Sequence, residues 1–242
     1  MAKTWLNSPL IGFDLETTGV NVRRDRIVSA CVVRWGGGQP TSARNWLSDL
    51  GGAEIPAEAT AVHGITSERA RAEGRPAAEV IEEIITALAE YCDAGRPLVV
   101  MNAPFDLTLL DAEAERYGLR GLFSRAVPMV LDPRVLDKHV MKYRRGKRHL
   151  AALCSFWGVR FDGAHNAEAD ARAACSVVWK IARRYPWLAH EELSELHELQ
   201  VGWAREQTRE FRECLASVGG DVDDAPFDWP LLPATAVPGD VR

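Results

Sequence analysis

Asp14 and Glu16 are the first residues of the chain whose types and spacing could do chemistry. They lie at the end of an apolar run, residues 10–15, that predicts a β-strand, and residues two apart on a strand point to the same face. Gly12 shares that face and leaves room beside the carboxylates. Two close carboxylates repel each other unless a cation lies between them, and all-oxygen ligands suit Mg²⁺ or Mn²⁺. The alternative is an ordinary solvated acidic face.

Asp106 is a second candidate, because it follows another apolar run, residues 98–101, that predicts a strand. Asn102 suits the N-cap of a helix and Pro104 suits its first turn, which places Asp106 in that turn at the end of the strand. Ligands commonly bind at this edge of α/β sheets. The alternative for Asp106 is that it only complements the helix dipole.

Asp170 and His165 form the third candidate pair. Asn166 is a plausible N-cap, so Asp170 projects from the following helix and His165 lies in the loop before it. A histidine titrates near neutral pH and therefore suits a general base. The alternative for His165 is an exposed loop residue without a function.

The elements that must position these residues alternate between strands and helices in the second half of the chain, which predicts an α/β fold with a mixed sheet. Three closely spaced strands near the N-terminus predict an antiparallel meander. Residues 62–66 fall in a predicted loop. The predicted strands are residues 10–15, 26–35, 44–47, 98–101 and 127–131, and the predicted helices are 76–91, 105–117, 133–139, 149–157, 166–185 and 190–218.

The composition is that of an ordinary globular protein, with 47% apolar and 26% charged residues among 242. The formal net charge of −5 is weak evidence against a large nucleic-acid footprint but says little about a small site. Five scattered cysteines without a C-x-x-C pair predict neither a disulfide framework nor a zinc site. Without an apolar signal core or membrane-length run, the chain is expected to be cytoplasmic and not membrane-bound.

Three segments, taken in order, resemble those of the DEDDh, or DnaQ-like, 3′→5′ exonucleases. They are Asp14-Leu15-Glu16-Thr17-Thr18-Gly19, Asn102 to Asp106, and His165 with Asp170 five positions later. This family includes the proofreading subunit of bacterial DNA polymerase. The resemblance covers residues 8–185. It implies a ribonuclease H-like fold, with a mixed five-stranded sheet flanked by helices. The expected domain organisation is an exonuclease domain over residues 1–186, followed beyond the resemblance by a C-terminal helix over 187–218 and a Pro/Asp-rich tail over 219–242.

The resemblance also implies roles for individual residues. Asp14, Glu16, Asp106 and Asp170 would hold two divalent cations, Mg²⁺ or Mn²⁺, and His165 would deprotonate the attacking water. The product would be a nucleoside 5′-monophosphate removed from the 3′ end of single-stranded DNA or RNA. The residues expected to contact the substrate are Leu15, Thr17, Thr18, His63, Asn102 and Phe105.

Several alternatives remain open from the sequence. Proofreading, repair and RNA processing enzymes share these motifs, and a non-catalytic nucleic-acid-binding module would keep the fold but is expected to lose a ligand or the base. The basic segment 138–149 predicts a phosphate-contacting loop, against the alternative of a solvated surface. The aromatic and apolar residues of the acidic tail could dock a polymerase or clamp, or fold back onto the domain.

Overall fold

The computed structural model describes residues 4–163, 165–219 and 228–233. Its centre is a five-stranded sheet in the order β3-β2-β1-β4-β5. The strands are β1 (Pro9–Thr17), β2 (Ile27–Gly36), β3 (Ser42–Leu47), β4 (Leu98–Val100) and β5 (Val130–Leu131).

The sheet is mixed, as predicted. β1, β2 and β3 form the antiparallel meander, and β4 and β5 run parallel to β1. β5 contains only Val130 and Leu131 and is shorter than the predicted 127–131.

Nine α-helices surround the sheet within the part of the chain that the structure describes: α1 (Ala57–His63), α2 (Ser67–Glu73), α3 (Ala77–Asp93), α4 (Ala103–Arg116), α5 (Pro133–Val140), α6 (Leu150–Trp157), α7 (Ala167–Arg184), α8 (Pro186–His190) and α9 (Leu193–Ser217). Residues 187–218, expected as one helix, thus contain most of α8 and all of α9. Among the described residues, no helix is both long enough and apolar enough to span a bilayer.

Helices α1 and α2 occupy a segment for which the sequence predicted a loop. Each has only seven residues, too few for a clear apolar period, and their ends are marked by caps instead. Gly64 ends α1 with φ at +74°, a backbone conformation that favours glycine. The Thr66 side chain accepts the Arg69 N–H at the start of α2.

The two faces of β1 pack against different helices. Ile11, Phe13 and Leu15 are buried in the cluster that includes α3 and α4. Gly12 lies on the other face, where α7 crosses β1. A Cβ at Gly12 would lie 2.6 Å from the Ala171 carbonyl oxygen, so α7 comes this close to the strand only because residue 12 has no side chain.

The basic segment 138–149 is anchored by Asp137, which is fully buried in α5. Asp137 Oδ2 accepts hydrogen bonds from Arg144 at 2.9 Å and Arg148 at 2.8 Å, and its Oδ1 accepts from Trp157 Nε1 at 2.8 Å. Arg144 and Arg148 therefore have a structural role that the prediction of a phosphate-contacting loop did not include.

Helix α9 covers the edge strand β5 and satisfies its backbone. The Val130 N–H donates to His197 Nδ1, and the Val130 carbonyl accepts from Gln200 Nε2. Gln200 Oε1 accepts the Asp132 N–H at 2.9 Å. Side chains of α9 thus take the place of a sixth strand, which leaves fewer free backbone groups along this edge.

The described part of the tail, residues 228–233, folds back onto the domain. Trp229 is buried and its Nε1 donates to Asp132 Oδ2 at 3.3 Å. The Leu232 N–H donates to Thr108 Oγ1 of α4 at 2.8 Å. Leu231 and Leu232 pack against the main core. These contacts favour the fold-back alternative for this stretch; the rest of the tail lies outside the described residues.

Candidate functional site

Three of the predicted carboxylates meet where α7 crosses β1. Asp14 and Glu16 project from the same face of β1 as Gly12, and Asp170 projects from the first turns of α7. One carboxylate oxygen from each of these three residues lies within 4.8 Å of the other two. The close approach at Gly12 therefore also brings Asp170 to the strand.

Asp106 approaches from the first turn of α4. Its side chain is buried, and its Oδ1 accepts the backbone N–H of Leu15 at 3.2 Å, directly between Asp14 and Glu16 in sequence. The charge of Asp106 also helps to raise the pKa of Asp14, which places the two carboxylates close together.

Asp132 fixes the start of α4, a role that the sequence analysis assigned to Asn102. Asn102 does occupy the N-cap position, but its φ is +60° and its side chain makes no capping hydrogen bond. Instead, Asp132 accepts the N–H groups of Asn102 and Ala103, and the Asn102 Oδ1 accepts from Arg134 at 2.6 Å. The sequence signal for Asp132 was its place before Pro133 at the start of a helix.

Burial raises the pKa of every carboxyl in this cluster. Burial is the main cause for Asp14, whose pKa lies well above its ordinary value, with smaller effects from Asp106, Asp170 and Glu16. Burial and the charge of Asp170 raise the pKa of Glu16 to about 7. Burial raises the pKa of Asp170 to about 6, partly offset by His165, and burial also raises that of Asp106. The cluster therefore favours either bound protons or a bound cation.

His165 lies in the loop before α7, exposed and with φ at +64°. A backbone hydrogen bond from His165 and the charge of its ring both lower the pKa of Asp170, so the histidine is adjacent to the carboxylates. His165, His63 and Glu16 line one cavity of about 290 Å³. The His63 Nδ1 accepts the Ile65 N–H, and its buried Nε2 has no hydrogen-bond partner in the described part of the chain.

The remaining predicted substrate contacts are distributed differently. The Leu15 side chain is in the core, so only its backbone faces the carboxylates. Thr18 is buried, and its hydroxyl donates to Asp25 and accepts the Arg26 N–H, so it stabilises the loop after β1 instead. Thr17 donates to the Gly19 carbonyl at 2.7 Å. Phe105 is half-buried against the core in the first turn of α4, next to Asp106.

This geometry agrees with the comparisons with known proteins. The RNase_T exonuclease family matches residues 11–178 of the chain. The protein therefore belongs to this family of exonucleases, and the predicted membership of the DnaQ-like superfamily is confirmed.

Two curated relatives illustrate the range of the family. The PolC-type DNA polymerase III of Caldanaerobacter subterraneus subsp. tengcongensis is 24% identical over 196 residues, which are 80% of this chain but 13% of the polymerase. An uncharacterised exonuclease, CP81, of Escherichia phage 186 is 28% identical and aligns with 75% of this chain and 92% of its own length.

Solved structures show the same fold. E. coli Exonuclease I in complex with a dT13 oligonucleotide superposes with a TM-score of 0.58 and 18% identity, covering 75% of this chain and 43% of that enzyme. Exonuclease X in complex with 5′ overhanging duplex DNA superposes with a TM-score of 0.55 and 20% identity, covering 78% of this chain and 99% of that chain. This chain therefore spans less than half of Exonuclease I.

Proposed function

We propose that the protein is a metal-dependent 3′→5′ exonuclease that hydrolyses the terminal phosphodiester of a single strand and releases nucleoside 5′-monophosphates. The observation that supports this most directly is the group of three carboxylates whose oxygens lie within 4.8 Å of one another, with Asp106 buried beside them. In a chain of an exonuclease family, such a group is best explained as a cation-binding reaction centre.

The residues fit a pair of divalent cations. The donors are all carboxylate oxygens, the set that Mg²⁺ and Mn²⁺ prefer. Asp170 Oδ1 is buried and has no hydrogen-bond partner among the described residues, as expected of an oxygen reserved for a cation. Asp14, Glu16, Asp106 and Asp170 would hold the cations, which when bound supply an acidified water and positive charge against the developing charge of the phosphate.

We assign to His165 the removal of the proton from the attacking water. The residue is exposed, adjacent to Asp170, and held in a loop instead of within α7. A ring in this position can reach a water near the carboxylates and release the proton to solvent. His63 lines the same cavity as His165 and would contact the terminal nucleotide. Phe105, next to Asp106 in the first turn of α4, would stack on a base.

The comparisons favour DNA as the substrate of this protein, because the similar proteins include a DNA polymerase and an exonuclease whose structure contains a DNA oligonucleotide. Proofreading, repair and nucleic-acid processing are all compatible with this chemistry. A polymerase or clamp that docks through the tail would have to use residues other than Trp229, Leu231 and Leu232, since these pack on the domain.

The test uses single-stranded DNA and RNA oligonucleotides labelled at the 5′ end, with Mg²⁺ or Mn²⁺ and a chelator control. We expect a metal-dependent ladder that shortens from the 3′ end, lost in Asp14→Ala and Asp170→Asn and strongly reduced in His165→Ala. Asp162→Asn is the matched control, because Asp162 is a nearby acid that is 70% exposed and outside the carboxylate group. Binding without cleavage by the intact protein would instead indicate a non-catalytic module.

A further inference from the structure

A groove between α5 and α9 begins beside the carboxylate site. Three adjoining cavities, of about 280, 440 and 440 Å³, share Arg134 as a lining residue. Two of them also share Asn102, which precedes α4. Asp106 is one helical turn further along α4, about 6 Å at ~1.5 Å per residue. The groove therefore begins at the start of the helix that carries Asp106.

One wall of the groove is a single face of α9. Ala204, Gln207, Phe211 and Cys214 line it, and their spacing of three or four residues places them on one side of the helix. Phe211 is 53% exposed, so its ring is available to a ligand in the groove. This helix lies beyond residues 11–178, so the wall is an addition to the family domain.

The end of the groove nearest the carboxylates is basic. Arg134, Arg148 and His149 line the cavity beside Asn102. Arg134 hydrogen-bonds to the neutral Asn102 side chain. Arg148 shares the single carboxylate of Asp137 with Arg144, so this buried trio carries a net positive charge. The guanidinium groups make this end suitable for phosphate.

The cavity on the α9 side is mixed in charge and carries the aromatic ring, and Arg134 and Arg148 line it as well. Lys138 and Glu210 both line it, and Glu210 is paired with Lys142 at 2.6 Å. Asp228 lies at the rim near Trp229. Basic side chains and an exposed aromatic ring within one groove match a single strand, which offers phosphates and stacking bases together.

We propose that this groove binds the single-stranded nucleic acid upstream of the terminal nucleotide, with Arg134 and Lys138 on phosphates and Phe211 stacked on a base. The inference rests on the proposed function, since it takes the 3′ end to lie at the carboxylates. From Ala204 to Cys214 the wall is about 15 Å long at ~1.5 Å per residue. That length accommodates about four stacked nucleotides at ~3.4 Å each.

The test compares the binding of a fluorescent DNA dinucleotide and a dodecanucleotide by anisotropy, with a chelator present so that no cleavage occurs. Phe211→Ala should weaken binding of the dodecanucleotide by about 5- to 150-fold, the range measured for loss of one stacked base, and leave the dinucleotide unchanged. Lys138→Gln should lower the slope of affinity against salt by about 1.

Two matched variants control for general surface effects. Leu199→Ala removes a 40% exposed apolar side chain from a position of α9 that does not line the groove, and Lys180→Gln removes an exposed charge from α7. Neither should change the affinity for either strand. Equal affinity of Phe211→Ala and the unaltered protein for the dodecanucleotide would overturn the proposal, as would equal affinity of the unaltered protein for both strands.

A small substrate separates this proposal from the proposed function. The p-nitrophenyl ester of thymidine 5′-monophosphate is too short to reach Phe211, so its hydrolysis reports on the carboxylate site alone. Phe211→Ala should hydrolyse it at the rate of the unaltered protein. If the unaltered protein does not hydrolyse it, the proposed function fails, while the anisotropy result still decides whether the groove binds a strand.

Discussion

Replacement of Asp137 by asparagine tests how the basic segment is held. The Asp137 side chain is fully buried, and those of Arg144 and Arg148 are only 7% and 16% exposed. The substitution removes one charge and leaves two largely buried guanidinium groups without a counter-ion. Breaking a buried ion pair from one side costs about 3–5 kcal/mol, and we expect a loss of that size in the free energy of unfolding. This is a large fraction of the ~5–15 kcal/mol typical of folded proteins.

Urea denaturation, monitored by circular dichroism, measures this loss. An unchanged slope of the free energy of unfolding against urea concentration would show that only stability has changed. Glu73→Gln is the control, because the pair that Glu73 forms with Arg69 on α2 is more than half exposed and should contribute nothing measurable. Adding Arg148→Met to Asp137→Asn should recover part of the loss, since it removes one unpaired cation. A loss below about 1 kcal/mol would refute the argument, because the cluster would then behave like a surface ion pair.

Three further predictions follow from the site and the segments around it. Gly12→Ala should lower the free energy of unfolding by about 1–3 kcal/mol and weaken Mn²⁺ binding, because the new Cβ would lie 2.6 Å from the Ala171 carbonyl oxygen. Urea denaturation and a Mn²⁺ titration measure the two effects, and no change in either would contradict the prediction. Trp229→Phe keeps an aromatic side chain but removes the indole N–H, one of several donors to buried Asp132. We expect the free energy of unfolding in urea to fall by about 1 kcal/mol, and a fall of 3 kcal/mol or more would show that the packing of the larger indole dominates. Burial raises the pKa of Glu16 from 4.5 to about 7, so over this pH range the folded metal-free protein keeps a proton that the unfolded chain loses. The free energy of unfolding of the metal-free protein should therefore fall as the pH rises through this range. Mg²⁺ should raise the free energy of unfolding more at about pH 8 than at about pH 5, because the cation replaces the lost proton. An equal effect of Mg²⁺ at both pH values would contradict this last prediction.

The sequence predicted those features that depend on local spacing. Alternation along β1 separates Gly12, Asp14 and Glu16 from the apolar residues on the opposite face, and the structure confirms this division. The apolar spacing of residues 76–91 likewise predicted α3 closely. Both patterns extend over enough residues to establish a period.

Features that depend on distant partners were not predictable in this way. That Asp106 bonds to the Leu15 N–H, or that His63 faces the cavity of His165, depends on how separate elements pack. The sequence showed Asp132 only as the residue between a predicted strand and Pro133, and gave no sign that it also organises the start of α4. Trp229 showed the same limitation, because an aromatic residue in a polar tail gives no local sign of its partner.

The hydrogen bond from the Leu15 N–H to Asp106 joins residues 91 positions apart, and Asp170 is further still along the chain. Contacts of such long sequence separation form only after the entropy of closing large loops has been overcome, so they appear late in folding. The β1–β2 hairpin can form early, but the carboxylates meet only after β4 and α7 have docked on it. We therefore expect the transition state for folding to lack this site, and divalent cations to slow unfolding far more than they accelerate folding.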